Sequence, residues 1–442
     1  MTPLAERLER ARDLLRARFG FPDFRPGQLR AVRAALAGRS ALVVLPTGGG
    51  KSLCYQVPAL VLDGLTVVVS PLISLMQDQV DRARARGIWA AALTSASSAK
   101  ARRETLADAE RGGLKLLYLA PERLMTGEII GALRRTRPSL LAVDEAHCVS
   151  EWGPDFRPAY RRIGLARLAL GRPPTLALTA TATRVVRDDI VESLRLGLVE
   201  RIVGSFDRPN LFLAARRVKD EDDRRHRLLS LLRPYRGPSI VYVPTRRLAE
   251  RWTRTLLNAG VIAAPYHAGL EHMVRRELQA QFASDRLECV VATTAFGLGI
   301  DKANVRRVVH LGLATSLEAY YQEAGRAGRD GKRARCEVLW TRGDLRLQRM
   351  ILADDRKLDP LLRYLTAFGC RRAELLRHFD ERVAHCGGCD RCEKWKRWFG
   401  QGRARRPAAR ATPAALLHPG ARRDEVPRVM VEKALPATHA AR

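Results

Sequence analysis

Residues 45–52 read Leu-Pro-Thr-Gly-Gly-Gly-Lys-Ser; apolar residues from Ala41 lead into them, and a helix-compatible apolar run from Leu53 follows. A strand that breaks into glycines and restarts as a helix turns several backbone N–H groups into one concavity at a helix N-terminus, which favours an anion. Thr47, Gly48, Gly49 and Gly50 would line it. Lys51 adds a point charge for outer phosphates, and the Ser52 hydroxyl can ligate Mg²⁺. The full phosphate-loop pattern also has a glycine where Leu45 stands, so the match is to the glycine-lysine-serine core.

Asp144-Glu145-Ala146-His147 follows the apolar run Leu140 to Val143. An Asp ending a strand next to the phosphate-loop strand would hold Mg²⁺ through water, and the adjacent Glu would polarise the attacking water. Gln322 to Gly331 sets Arg326 and Arg329 among small residues, which lets guanidinium groups approach a phosphate. Before the first strand, Phe24-Arg25-Pro26-Gly27-Gln28 offers Arg25 and Gln28 as nucleotide contacts, since a glutamine amide both donates to and accepts from an adenine edge. Trp152, Phe156 and Arg157 lie on a glycine- and proline-rich loop and would suit base stacking. Cys370, Cys386, Cys389 and Cys392 cluster. Four thiolates suit a closed, tetrahedral, structural Zn²⁺ site, and an iron–sulfur cluster is the alternative. Arg371, Arg372 and Arg377 beside them are offered to DNA phosphates.

These residues need a scaffold, and the apolar pattern supplies one. Strands are expected at Ala41–Leu45, Leu65–Val69, Leu114–Leu119, Leu140–Val143 and Thr175–Leu178, alternating with helical stretches. Ser70, Asp144 and Thr179 then fall just past strand carboxyl ends, where parallel sheets bind ligands. A seam near Val203 to Asn210 precedes a second set at Ser239–Val243, Ala263–Tyr266, Cys289–Ala292, Val308–Leu311 and Cys336–Trp340. Only the first set carries the glycine-lysine-serine loop, so a nucleotide is expected to be shared between the two.

With 442 residues there is room for two or three domains, and 46% hydrophobic content is that of a globular chain. A net charge of +31 draws polyanions. No uninterrupted apolar run is long enough for a membrane span, and the acidic, amphipathic start around Leu4, Leu8, Leu14 and Leu15 is neither a signal nor a transit peptide. Cys54, Cys148, Cys289 and Cys336 sit in apolar segments and read as buried thiols.

In order along the chain, these motifs resemble a superfamily 2 helicase, and within it the RecQ family. The matching stretches are Phe24–Gln28, Pro46–Ser52, Val69–Val80, Tyr118–Leu124, Asp144–His147 with Trp152–Tyr160, Leu178–Thr183, Phe206–Leu211, Tyr266–Leu270, Ala292–Lys302 and Tyr320–Gly331. The resemblance implies two tandem RecA-like α/β domains (1–205 and 206–343), a small helical zinc-binding module (344–400) and a basic, disordered tail (401–442). It implies a 3′-to-5′ ATP-dependent DNA helicase of repair and recombination, using ATP, Mg²⁺ and Zn²⁺. Single-stranded DNA and 3′-overhang or forked duplexes are the implied partners, with no membrane, in the bacterial cytoplasm or nucleoid. By resemblance the catalytic set is Lys51, Asp144, Glu145, Gln322, Arg326 and Arg329, and Trp152, Phe156 and Arg157 couple DNA to hydrolysis. Glu151 and Pro154 replace the family's usual Gln and His, which puts an acid near DNA and stiffens the loop. A short form without winged-helix and C-terminal helical domains is expected. A weakly unwinding translocase or annealing factor, an RNA helicase and a scaffold with a dead ATPase are the competing functions.

Overall fold

The computed structural model describes residues 3–399 except 72, 95–96, 154, 234–236, 297–301, 353–354 and 384–385, with backbone only at 73–75, 355 and 395–399. The 401–442 tail, Pro154 and the side chains of Trp395, Lys396, Arg397, Trp398 and Phe399 therefore lie outside the described residues. Two compact units emerge: Met1–Asp207 with Glu318–Gly325 and Leu376–Arg382, and Arg208–Leu317 with Arg326–Leu375 and Val383–Arg442.

The first unit is built on a seven-stranded sheet of β1 (Ala41–Val44), β2 (Thr66–Val69), β3 (Ala90–Leu93), β4 (Leu116–Leu119), β5 (Leu140–Val143), β6 (Thr175–Thr179) and β7 (Glu200–Val203). All pairs are parallel, in the order β3-β4-β2-β5-β6-β1-β7. Ala41 to Val44 are buried on both faces, which is why β1 is a continuous apolar run rather than an alternation. Helix α1 (Pro3–Leu14) and α2 (Pro26–Leu36) flank the sheet, and α3 (Leu53–Val61) starts from the glycine loop. Ala11, Val32, Leu36, Leu53, Val57 and Val61 of these helices form one apolar cluster with Leu15, just past α1.

The second sheet contains β8 (Leu211–Arg217), β9 (Ser239–Tyr242), β10 (Ala263–Tyr266), β11 (Cys289–Ala292), β12 (Arg307–Leu311) and β13 (Ala334–Trp340). Its order is β10-β11-β9-β12-β13-β8, again all parallel. Beyond β13 the described chain is helical, including Arg342–Ile351, Asp359–Thr366, Arg371–His378 and Asp390–Phe399.

Three strands depart from the sequence expectation, each for a local reason. The Ala-Ala-Ala-Leu of β3 carries helix-forming residues and becomes a strand only by pairing with β4. Edge strand β7 buries only Ile202 of its four residues. The edge strand β8 ends in the exposed Arg216 and Arg217. A further correction concerns order: β5 is not next to β1, because β6 lies between them.

Candidate active site

The glycine loop closes on itself and on α2. Gly48 and Gly50 have φ of +78° and +70°, and a Cβ at Gly49 would stand 2.7 Å from the Pro46 carbonyl oxygen. Only residues without a side chain fit this path. Arg25 Nη1 donates to Gly48 O at 3.0 Å, and Gln28 Nε2 donates to Gly49 O at 2.9 Å and Gly50 O at 3.3 Å. Gln28 Oε1 accepts from Arg25 N at 2.9 Å. The buried Gln28 amide thus ties α2 to the loop, and its oxygen keeps one lone pair for another donor. Lys51 Nζ lies 3.4 Å from Leu45 O, folded back over the loop. Ser52 occupies the N-cap position of α3.

Past β5, Asp144 N donates to Val69 O at 2.8 Å and Asp144 Oδ1 accepts from Glu145 N at 3.0 Å. Burial, then the charge of Glu145, pushes the Asp144 carboxyl up to about 7, against the lowering effect of Lys51. That places Lys51 within electrostatic reach of Asp144, although one strand separates their parent strands. Glu145 adopts φ +47°, a left-handed conformation rare for a residue with a Cβ and a mark of sites where local geometry matters. Its Oε2 is buried, lies 3.3 Å from His147 Nδ1 and has no hydrogen-bond partner among the described residues. An unsatisfied buried carboxylate oxygen beside a raised carboxyl suits a cation and its water.

From this pair a polar chain runs through the end of β6, the strand that lies between β5 and β1. His147 Nδ1 is 2.9 Å from Thr179 Oγ1, at the end of β6. Thr181 N lies 3.3 Å from the same oxygen, and Thr181 Oγ1 accepts from Gln322 Nε2 at 2.8 Å. Burial holds the His147 imidazole below its ordinary pKa, so it is neutral and bridges as donor or acceptor. Insertion of β6 between β1 and β5 is what brings Thr179 to His147.

On the aromatic loop, Trp152 is 63% exposed and Phe156 half-buried, which leaves ring surface for a ligand. Arg157 Nη1 donates to Pro71 O at 2.8 Å, and the same guanidinium pairs with Asp155. Glu151 meets Arg161 at 3.0 Å, and Arg161 also lies over the Phe156 ring at 5.6 Å. The acid that departs from the family pattern is therefore paired with the short Pro158–Arg161 helix that follows its loop.

In the second unit, Arg326 and Arg329 follow the Leu317–Ala324 helix in a turn, and the buried Arg326 Nε has no hydrogen-bond partner among the described residues. The ligand atoms of Cys370, Cys386, Cys389 and Cys392 lie within 4.8 Å of one another. Zn–S bonds of about 2.3 Å in a tetrahedron put sulfurs roughly 3.8 Å apart, so the set fits zinc with little closure. Ala373 N donates to Cys370 Sγ at 3.5 Å and Cys392 N to Cys389 Sγ at 3.4 Å, contacts that favour thiolates. The ligand loop docks on β8: Leu213 N donates to Gly388 O at 3.3 Å, and a Cβ at Gly387 would stand 2.5 Å from Pro209 O. Arg371 and Arg372 are 1% exposed and do not face phosphates. Arg371 pairs with Asp390 and donates to Tyr364 O, Leu365 O and Ala215 O, whereas Arg372 donates to Arg208 O and Leu211 O. Of the three arginines only Arg377 remains exposed.

Three family descriptions match successive stretches: DEAD/DEAH box helicase over 25–189, helicase conserved C-terminal domain over 223–331, and RecQ zinc-binding over 344–393. An ATP-dependent DNA helicase RecQ of Bacillus subtilis is 42% identical over 398 residues, covering 87% of this chain and 67% of that protein. The chain belongs to the RecQ family. A RecQ of Haemophilus influenzae is 41% identical over 394 residues, 86% of this chain but 63% of that protein, so this RecQ chain spans just under two thirds of its relative. Two solved structures share the fold. Mycobacterium smegmatis helicase Lhr bound to ssDNA and AMP-PNP has a TM-score of 0.57 at 23% identity, covering 83% of this chain and 55% of that one. The DUF1998 helicase MrfA bound to DNA has a TM-score of 0.61 at 18% identity, covering 75% and 50%. The zinc-binding match takes in all four cysteines of the RecQ set. Among the described residues no helix is long and apolar enough to cross a membrane. His147 and Thr181 were legible in this RecQ chain only as members of motifs, because nothing in their spacing reveals that they connect Glu145 to Gln322.

Proposed function

We propose that this chain hydrolyses ATP to move 3′-to-5′ along single-stranded DNA and to unwind duplexes in repair and recombination, working in the bacterial cytoplasm or nucleoid. The observation that carries the reading is the pairing of a glycine loop with Asp144 and Glu145 beyond the carboxyl ends of one parallel sheet. The N–H groups from Thr47 to Gly50 would cradle phosphates, with Lys51 on the outer ones. Ser52 and Asp144 would hold Mg²⁺, which supplies charge neutralisation on the phosphates. Glu145 polarises the attacking water, and its unsatisfied oxygen supports that role. Arg25 and Gln28 take the adenine, and Arg326 and Arg329 stabilise transition-state charge. The net charge of +31 supports a polyanionic track, and Trp152, Phe156 and Arg157 would read it as stacked single strand. Zinc on the four cysteines is structural. The domain limits that accompany this reading are 1–205, 206–343, 344–400 and a basic tail at 401–442.

The test is ATP turnover with and without single-stranded DNA, in the wild type and Lys51→Ala. DNA should stimulate the wild type, and the variant should fall to background with its melting temperature unchanged. Equal turnover with and without DNA would remove the motor reading. A fluorescent duplex with a 3′ or 5′ overhang then reports polarity, and RNA competitor reports the choice of sugar.

A further inference from the structure

The polar chain ending at Gln322 depends on how the Leu317–Ala324 helix is held. Glu318, Tyr321 and Gln322 share that helix, and the first two are anchored by a short stretch from far along the sequence. His378 Nε2 lies 2.6 Å from Glu318 Oε1. The Phe379 and Tyr321 rings have centroids 5.1 Å apart. Phe379 also stacks on Phe206, with centroids 4.4 Å apart and planes at 10°. Tyr321 Oη donates to Phe206 O at 2.8 Å. Glu381 accepts from Ser205 Oγ and, at 2.6 Å, from Phe206 N. Between them, Asp380 takes a left-handed turn at φ +62° and accepts from Arg187 Nη2 at 2.8 Å. Four consecutive residues thus each hold a different group of the unit that carries the glycine loop. Phe206, Tyr321 and Phe379 are all buried.

We propose that residues 378–381 are a positioning clasp for ATP hydrolysis. They fix the Leu317–Ala324 helix and the 205–206 stretch together, which sets Gln322 against Thr181 and, through Thr179, holds the His147 ring 3.3 Å from Glu145 Oε2. Each of the four acts through another residue: Glu318, Tyr321 and Phe206, Arg187, or Ser205 and Phe206. The clasp also lies between Cys370 and Cys386 in the chain, so closure of the thiolate set tethers both its ends. A buried aromatic pair and two hydrogen bonds onto one carboxylate are rigid, short-range restraints, and a displacement near 1 Å in an orienting group can cost about a hundredfold in rate.

This inference rests on the proposed ATP hydrolysis, and the experiment separates the two. In the full chain, Glu381→Ala and Phe379→Leu should lower kcat for ATP by roughly tenfold or more while KM for ATP changes little. Zinc content, read with a chromogenic chelator after thiol titration, should stay at the wild-type level. Glu381→Gln, which keeps one acceptor, should recover part of the rate. Glu381→Ala placed on Gln322→Ala should add little further loss, because both act on one chain of contacts. Wild-type kcat in both single variants overturns the clasp. So does a rate loss that tracks zinc loss and melting temperature, or one that simply adds to Gln322→Ala. A wild type without ATP turnover overturns the proposed function instead.

Discussion

Replacing Asp144 with asparagine should end hydrolysis and yet stabilise the nucleotide-free protein. Burial first, and then the neighbouring Glu145, raises this carboxyl from 3.8 to about 7. Each pKa unit is worth ~1.36 kcal/mol, so a rise of about three units makes the ionised form cost the fold roughly 4 kcal/mol. A carboxyl raised in this way costs nothing below its unfolded pKa and the whole amount above its folded one. Wild-type stability should therefore decline on this account from about pH 4 to pH 7, and asparagine, neutral throughout, should remove the decline. At about pH 8, without Mg²⁺ or nucleotide, the unfolding transition of the first unit should rise by roughly 10 °C, at about 2–4 °C per kcal/mol for a domain of this size. At about pH 4 the two proteins should melt together. Fluorimetric melting across this range reads both ends, and adding Mg²⁺ with a non-hydrolysable nucleotide should close the gap by stabilising the carboxylate. A gap of equal size at both ends, or none at the upper end, would refute desolvation of a carboxylate as the cause.

Arg371→Met should cost about 3–5 kcal/mol, because it leaves the half-buried Asp390 unpaired and strips three backbone carbonyls of their donor. Melting and the rate of zinc loss to a chelator report it, and Arg371→Lys should rescue little, since lysine lacks the planar fork. Single-stranded DNA affinity of folded Arg371→Met should match the wild type, because the guanidinium is already spent on the protein; a large drop would restore the phosphate role that its burial argues against. Removing zinc should loosen β8, whose outer edge meets Cys389 through Leu213, and hydrogen exchange at 211–217 should quicken there before it does in β9 or β12.

Much of the architecture was readable because its signals are short in sequence. The continuous apolar runs of β1, β5, β10 and β11 declare buried parallel strands, since both faces of each are covered. Edge strands β3 and β7 were harder: β7 buries one residue and β3 is mostly alanine, so neither has the density of large apolar residues that marks a central strand. The glycine loop and the cysteine set were legible for a related reason. Their geometry is made by neighbours in the chain, and the residue types required are few.

The site was legible in its members and not in its connections. Asp144 and Glu145 fall where a strand ends, but their strand is one removed from β1, and strand order is a property of the whole sheet. Arginine next to a cysteine ligand looks the same in sequence whether it faces phosphate or carbonyl oxygen; the packing of β8 against the zinc loop turned Arg371 and Arg372 inward. Glu151 looked like a misplaced acid until Arg161, ten residues on, proved to be its partner.

Sequence alone determined that this chain carries a phosphate loop, a strand-end acid pair, a four-thiolate set and the RecQ order of motifs, because each is written in residues that are close neighbours. Tertiary structure alone decided that β6 brings Thr179 to His147, that Gln322 meets Thr181, and that His378 to Glu381 hold Phe206 and Tyr321. These contacts join residues far apart along the chain. No local preference encodes them, and they exist only once the buried surfaces have chosen their partners.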